Sequence, residues 1–152
     1  MAFVQSDRWF MVRLTTGWRM EGSVTYSGQG LVIEGEMSTG QSIVFDGEAE
    51  ASLSPVHALL LGHGACTLID VVEGLRRWNL ISAAIALDGE RSETHPRIFT
   101  SVSLAYSVVT DAPKDLVQRL VESSHAKYCT IGATITGAGA ELSWTLDVRE
   151  SA

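Results

Sequence analysis

The chain has 152 residues, 45% of them hydrophobic: the length of one domain, with enough apolar surface for a core without disulfide staples. Its 18 acidic and 11 basic residues give a net charge of -7, a sign that repels phosphate backbones and anionic bilayers, so neither nucleic acid nor membrane is an expected partner. Met1 to Arg8 shows no basic stretch leading into an apolar run, no segment reads as a membrane span, and cytoplasm is the expected compartment.

In chain order, Arg8 to Thr15, Trp18 to Tyr26, Leu31 to Met37 and Gln41 to Phe45 are short runs rich in Val, Ile, Phe, Trp and Thr. Gly- and Ser-containing turns separate them, so they predict four strands of an antiparallel meander. Ser54 then offers an N-cap and Pro55 a first helical residue, and the helix is expected to run to about Trp78. Its Leu, Ile, Val and Ala residues point in almost every direction, which predicts burial against the chain's own sheet and a partner subunit. Ile81 to Arg91 and Arg97 to Val109 read as strands, the second with Ile98, Thr100, Val102, Leu104, Tyr106 and Val108 on one face. A second helix opens at Asp111-Ala112-Pro113, carries Leu116, Val117, Leu120 and Val121 as its stripe, and fades near Ser124 to Lys127. Thr130 to Thr136 and Glu141 to Val148 read as closing strands. The pattern is α+β within a single domain spanning residues 1–152.

Two cysteines stand out. Cys66 lies inside the long apolar helix and Cys129 follows the second helix, and the chain has no others. A pair of thiols in a cytoplasmic chain is more often catalytic, metal-binding or simply buried than a lasting disulfide. Taken alone, each thiol also fits an inert core position, since free cysteine is among the most buried residue types.

Several fragments are found together in order: Ser54-Pro55 opening the helix, Gly64-Ala65-Cys66-Thr67 within it, Asp70-Val71-Val72 a turn later, Pro96-Arg97-Ile98-Phe99-Thr100 at the start of the long strand, and Lys127-Tyr128-Cys129. By these residues, over roughly 54–131, the sequence resembles the OsmC/Ohr superfamily. The resemblance implies antiparallel sheets wrapped around a long buried central helix in an intertwined homodimer, with two active sites at the subunit interface. It also implies reduction of organic hydroperoxides by a thiol mechanism that needs no cofactor and no metal, with an external dithiol as reductant. By position Cys66 matches the peroxidatic cysteine and Cys129 the resolving one. Arg19 is the best match to the arginine that supports the thiolate, and Arg13 the next. The family's glutamate at the start of the helix is missing: Val56 and His57 stand there. That departure favours an alternative, a non-catalytic member of the fold that binds an apolar small molecule in the dimer groove.

Helical spacing puts His63, Asp70 and Glu73 within about one side of Cys66, and His57 on the opposite face. Asp70 would serve Cys66 only with a cation between them, since a bare carboxylate opposes ionisation of a thiol. His63 offers a hydrogen bond or a charge, or is a satisfied core histidine. A rival constellation pairs His63 with Cys66 and His125 with Cys129, which would suit tetrahedral zinc. The four tryptophans are scattered and read as core or interface.

Overall fold

The computed structural model of the chain describes residues 19–150. The strand expected over Arg8 to Thr15, the start of the next, and Arg13, Trp9 and Trp18 therefore lie outside the described residues. The chain divides into two compact units, Met1–Ser52 and Leu53–Ala152.

In the first unit the turns dictate the topology. Strands β1 (Gly22–Tyr26), β2 (Val32–Met37) and β3 (Ser42–Asp46) form an antiparallel sheet in the order β1-β2-β3. The β2–β3 hairpin closes on Gly40, whose φ of 94° is a conformation that side chains rarely adopt. Asp46 ends β3 and accepts the backbone N–H groups of Glu48, Glu50 and Ala51, which organises the loop that follows.

The second unit begins with helix α1 (Pro55–Gly74). Pro55 sits in its first turn, and Ser54 caps it by accepting the N–H of His57 at 3.3 Å. The helix ends four residues short of the expected Trp78, because the N–H of Leu75 reaches back to the carbonyls of Val71 and Val72. By length and composition alone α1 could cross a membrane. Within this unit it is the central helix, packed against β4 (Leu80–Arg91), α2 (Lys114–Ser123) and α3 (Thr130–Gly137). Glycine lets it approach the sheet: a Cβ on Gly64 would stand 2.6 Å from Leu87 Cδ1. His63, Gly64, Thr67 and Val71 line its buried face, whereas Leu59, Leu61, Ile69 and Val72 remain exposed on this single chain.

Strand β5 (Phe99–Thr110) is the middle of the second sheet, between β4 and β6 (Glu141–Glu150). It runs antiparallel to β4 and parallel to β6, so this sheet is mixed. A parallel neighbour needs a crossover, and α2, a π-helical turn (Ser124–Tyr128) and α3 supply it. Val102, Leu104, Tyr106 and Val108 are buried on one face of β5, against a core that includes Val71, Leu75, Val117 and Val121. The expected face does not extend to Ile98 and Thr100, which are exposed, while Phe99 is buried. The cause is a register shift: Glu90 pairs with Ser101 but Arg91 with Phe99, leaving Thr100 as an extra residue that switches the phase of the alternation.

One expected strand is corrected. Thr130–Gly137 forms helix α3. Cys129 caps it, its sulfur accepting the Gly132 N–H at 3.3 Å, and Thr134 and Thr136 bond back to carbonyls a turn earlier. Ile131 and Ile135, four apart, share a helical face, a spacing that the β-branched composition of the segment masks.

Candidate functional site

Residues His63, Cys66, Thr67 and Asp70 fall at i, i+3, i+4 and i+7 of α1 and therefore share one side of the helix. The π-helical turn and the cap of α3 bring Ser124, His125 and Cys129 to the same region, and β5 adds Tyr106. Thiols separated by 63 positions in sequence thus meet: the Cys66 and Cys129 side chains are in hydrogen-bond contact. Both are free, with Cys129 buried and Cys66 half-buried.

The two sulfurs differ electrostatically. Burial pushes the Cys129 thiol up to about 11, a rise that the Gly132 N–H opposes and the adjoining Cys66 reinforces. Cys129 therefore stays protonated at neutral pH. Gly132 is where the cluster is tightest: a Cβ there would lie 2.8 Å from His63 Nε2 and 3.2 Å from Cys129 Sγ.

His63 is fully buried, and neither of its ring nitrogens has a hydrogen-bond partner among the described residues. Burial holds it below the ordinary imidazole range; burial and then the nearness of His63 do the same to His125. Both rings are therefore neutral at pH 7. They meet edge-on, with centroids 6.1 Å apart, and Trp144 stacks on the far side of His125 at 6.2 Å.

A string of polar side chains threads the cluster. Asp70 Oδ2 lies 2.6 Å from Ser124 Oγ, which lies 2.8 Å from Thr67 Oγ1. Thr67 Oγ1 is 2.7 Å from the Tyr106 hydroxyl, itself 2.8 Å from His125 Nε2. Burial pushes the Tyr106 phenol up to about 12, so it keeps its hydrogen.

Of the residues singled out from the sequence, Cys66 and Cys129 are brought together, and His63 and Asp70 stand in the same cluster. Glu73 instead faces solvent and pairs with Arg76 at 2.7 Å. Asp70 is bonded by the Ser124 hydroxyl rather than by a guanidinium. Arg19 belongs to the first unit, where its exposed guanidinium pairs with Glu21 at 2.6 Å. His57 is an exposed residue of the first helical turn, its N–H taken by Ser54. The four residues of the zinc constellation are neighbours, yet among the described residues no group of three or more His, Cys, Asp or Glu is arranged to hold a metal ion. One reason is that His125 Nε2 is already engaged by Tyr106. Thr67, Ser124, Tyr106 and Trp144 were not anticipated as site residues. Thr67 carried a usable signal, since it sits four residues after His63 and three before Asp70.

A thiol pair on a long helix, capped by a second helix and backed by a three-stranded sheet, is the architecture of a known class, and the chain belongs to the OsmC-like protein family. The family model, described as OsmC-like protein, matches residues 47–145. Protein YhfA of Escherichia coli strain K12 is 34% identical over 114 residues, which is 72% of this chain and 85% of YhfA. The crystal structure of a hypothetical protein from Aquifex aeolicus VF5 aligns with a TM-score of 0.77 at 25% identity, over 88% of this chain and 98% of that one. An OsmC like protein from Mycoplasma pneumoniae follows with a TM-score of 0.69 at 12% identity, over 90% and 99% of the two chains. The same fold occurs in an organic hydroperoxide resistance protein, OsmC, from Legionella pneumophila, with a TM-score of 0.54 at 15% identity, over 87% and 97%.

Proposed function

We propose that the chain is a cytoplasmic thiol-dependent peroxidase for organic hydroperoxides, working as a homodimer. The observation that carries this is the contact between the half-buried Cys66 and the buried Cys129. The more accessible thiol suits attack on a substrate, and the one kept protonated suits resolution. The Cys66 thiolate attacks the distal oxygen of ROOH, the O–O bond breaks, and Cys66 becomes a sulfenic acid while the alkoxide leaves and takes a proton as ROH. Cys129 then condenses with the sulfenic acid, forming the Cys66–Cys129 disulfide and releasing water. An external dithiol returns both sulfurs to thiols.

Membership of a family whose fold is shared with a hydroperoxide resistance protein supports the substrate class. Homodimer formation draws support from the exposed side of α1, where Leu59, Leu61, Ile69 and Val72 would otherwise face water. Arg19 is assigned to the thiolate by family position alone.

A second reading, a non-catalytic member that binds an apolar molecule, is favoured by one observation: Val56 and His57 occupy the start of α1 where relatives carry glutamate. One experiment separates the two. Free thiols are counted by intact mass after alkylation, before and after one equivalent of cumene hydroperoxide. Rapid loss of both thiols as an internal disulfide is expected, with no turnover in Cys66→Ser and a single oxidation followed by stalling in Cys129→Ser. Two thiols that stay reduced in the presence of peroxide would establish the binding protein instead.

A further inference from the structure

The polar string in the core has only one self-consistent arrangement of hydrogens. A carboxylate carries no hydrogen, so the one between Asp70 and Ser124 belongs to the Ser124 hydroxyl. Serine has a single hydroxyl hydrogen, so the contact between Ser124 and Thr67 must be filled from Thr67. The Thr67 hydrogen is then committed, and Tyr106 must fill the next contact. Tyr106 in turn has nothing left to give, so the last hydrogen, on the 2.8 Å contact with His125, is the N–H of Nε2. Neutral imidazole carries one N–H, so His125 Nδ1 is left as a bare lone pair. That atom is buried and has no hydrogen-bond partner among the described residues.

We infer that Asp70, through Ser124, Thr67 and Tyr106, is a positioning residue for His125, holding it as the Nε2–H tautomer and leaving Nδ1 as a free proton acceptor within the thiol cluster. Four bonds of one polarity link the half-buried end of the string at Asp70 to the ring that stacks on Trp144. The polarity is set at the Asp70 end, and Thr67, Ser124 and Tyr106 are all buried, so water does not compete for their hydrogens. The use of the lone pair rests on the proposed thiol chemistry. A thiol that ionises breaks its S–H bond, and Nδ1 is the acceptor with which a new N–H bond forms, giving thiolate and imidazolium. The imidazolium still donates through Nε2 into a string that ends on a carboxylate.

The test is the tautomer itself, read at pH 7.5 from imidazole 15N shifts of the labelled full-length protein in long-range 1H–15N spectra. His125 is assigned by loss of its signals in His125→Gln. The expected wild-type spectrum has Nε2 protonated and Nδ1 unprotonated. Tyr106→Phe removes the middle hydroxyl and Asp70→Asn removes the terminal acceptor that enforces polarity; each should abolish the single tautomer. Thr67→Ser keeps the hydroxyl and should restore the wild-type spectrum. A wild-type His125 protonated at Nδ1 overturns the inference without need of any variant, and so does one tautomer persisting in both Tyr106→Phe and Asp70→Asn. None of these readouts involves peroxide. The stated tautomer in a protein whose thiols ignore hydroperoxide would support the polarised string and remove the peroxidase assignment.

Discussion

Alanine placed at two glycines of the same helix should move stability in opposite directions. Gly132 and Gly137 both lie in α3, and replacing either with alanine removes backbone freedom from the unfolded chain, a gain of roughly 0.5–1 kcal/mol. At Gly137 nothing lies within 4 Å of the new Cβ, so the gain should be realised. At Gly132 the Cβ would come within 2.8 Å of His63 Nε2 and 3.2 Å of Cys129 Sγ. His63 is completely buried and its ring has no free space to swing into, so either the ring or α3 must shift. Overpacking of this kind costs about 1–3 kcal/mol. The propensity gain is common to both variants, so the separation between them is the overpacking cost, centred near ~2 kcal/mol. For a chain of this size that corresponds to roughly 4–8 °C in Tm, with Gly137→Ala above wild type and Gly132→Ala below it. Differential scanning calorimetry on the three proteins, with thiols kept reduced, measures the separation. Equal Tm values for the two variants, or a gain in both, would refute the close approach of Gly132 to His63 and Cys129.

Further outcomes follow from the electrostatics and the helix cap. Because burial depresses the native pKa of His63 and His125, the unfolded chain binds more protons than the folded one below about pH 6.5. Stability should therefore fall as pH drops through that window, and urea midpoints in His63→Leu should show a shallower acid slope; a wild-type midpoint flat from pH 7.5 to 5 contradicts this. Cys129 has the opposite sign: its pKa rises from 9.0 to about 11 on folding, chiefly by burial, so the stability it contributes is present below pH 9 and lost as pH climbs toward 11. The same shift predicts that iodoacetamide at pH 8 labels Cys66 well before Cys129, which peptide mapping of a brief reaction would detect; equal labelling would count against the assigned burial. Finally, Ser54→Ala removes the acceptor of the His57 N–H at 3.3 Å and should cost about 1 kcal/mol in denaturant unfolding, whereas Ser54→Asp should retain most of the stability.

Much of this molecule could be read from its residues, and the exceptions have specific causes. Ser54-Pro55 marked the start of α1 because capping is local chemistry, encoded within three residues. The strands β2 to β5 were legible because a half-buried strand alternates and its turns need glycine. The face of β5 was legible only up to the bulge, since Thr100 shifts the phase and no residue type announces a register shift. Helix α3 was missed because Thr and Ile favour strands intrinsically, and the cap that decides the matter is a cysteine sulfur, which is not among the usual N-cap side chains. At the site, spacing on one helix put His63 and Asp70 beside Cys66. The partnership of Thr67 with Tyr106 and Ser124 was not readable, because it joins residues 39 and 57 positions apart whose polar tips meet only after β5 and the crossover pack against α1.

The π-helical turn at Ser124–Tyr128 governs where everything after it points. An α-helix advances about 100° per residue, whereas a π turn accommodates one more residue per turn, so the segment works as a phase shifter between α2 and α3. Deleting one residue there would let α2 continue as a regular helix but rotate Cys129 by about 100° about the axis, away from Cys66. Inserting one residue would rotate it the other way. Length in this five-residue segment is thus as consequential as identity: a chain with every side chain of the cluster intact, but one peptide unit longer or shorter here, would hold two isolated thiols.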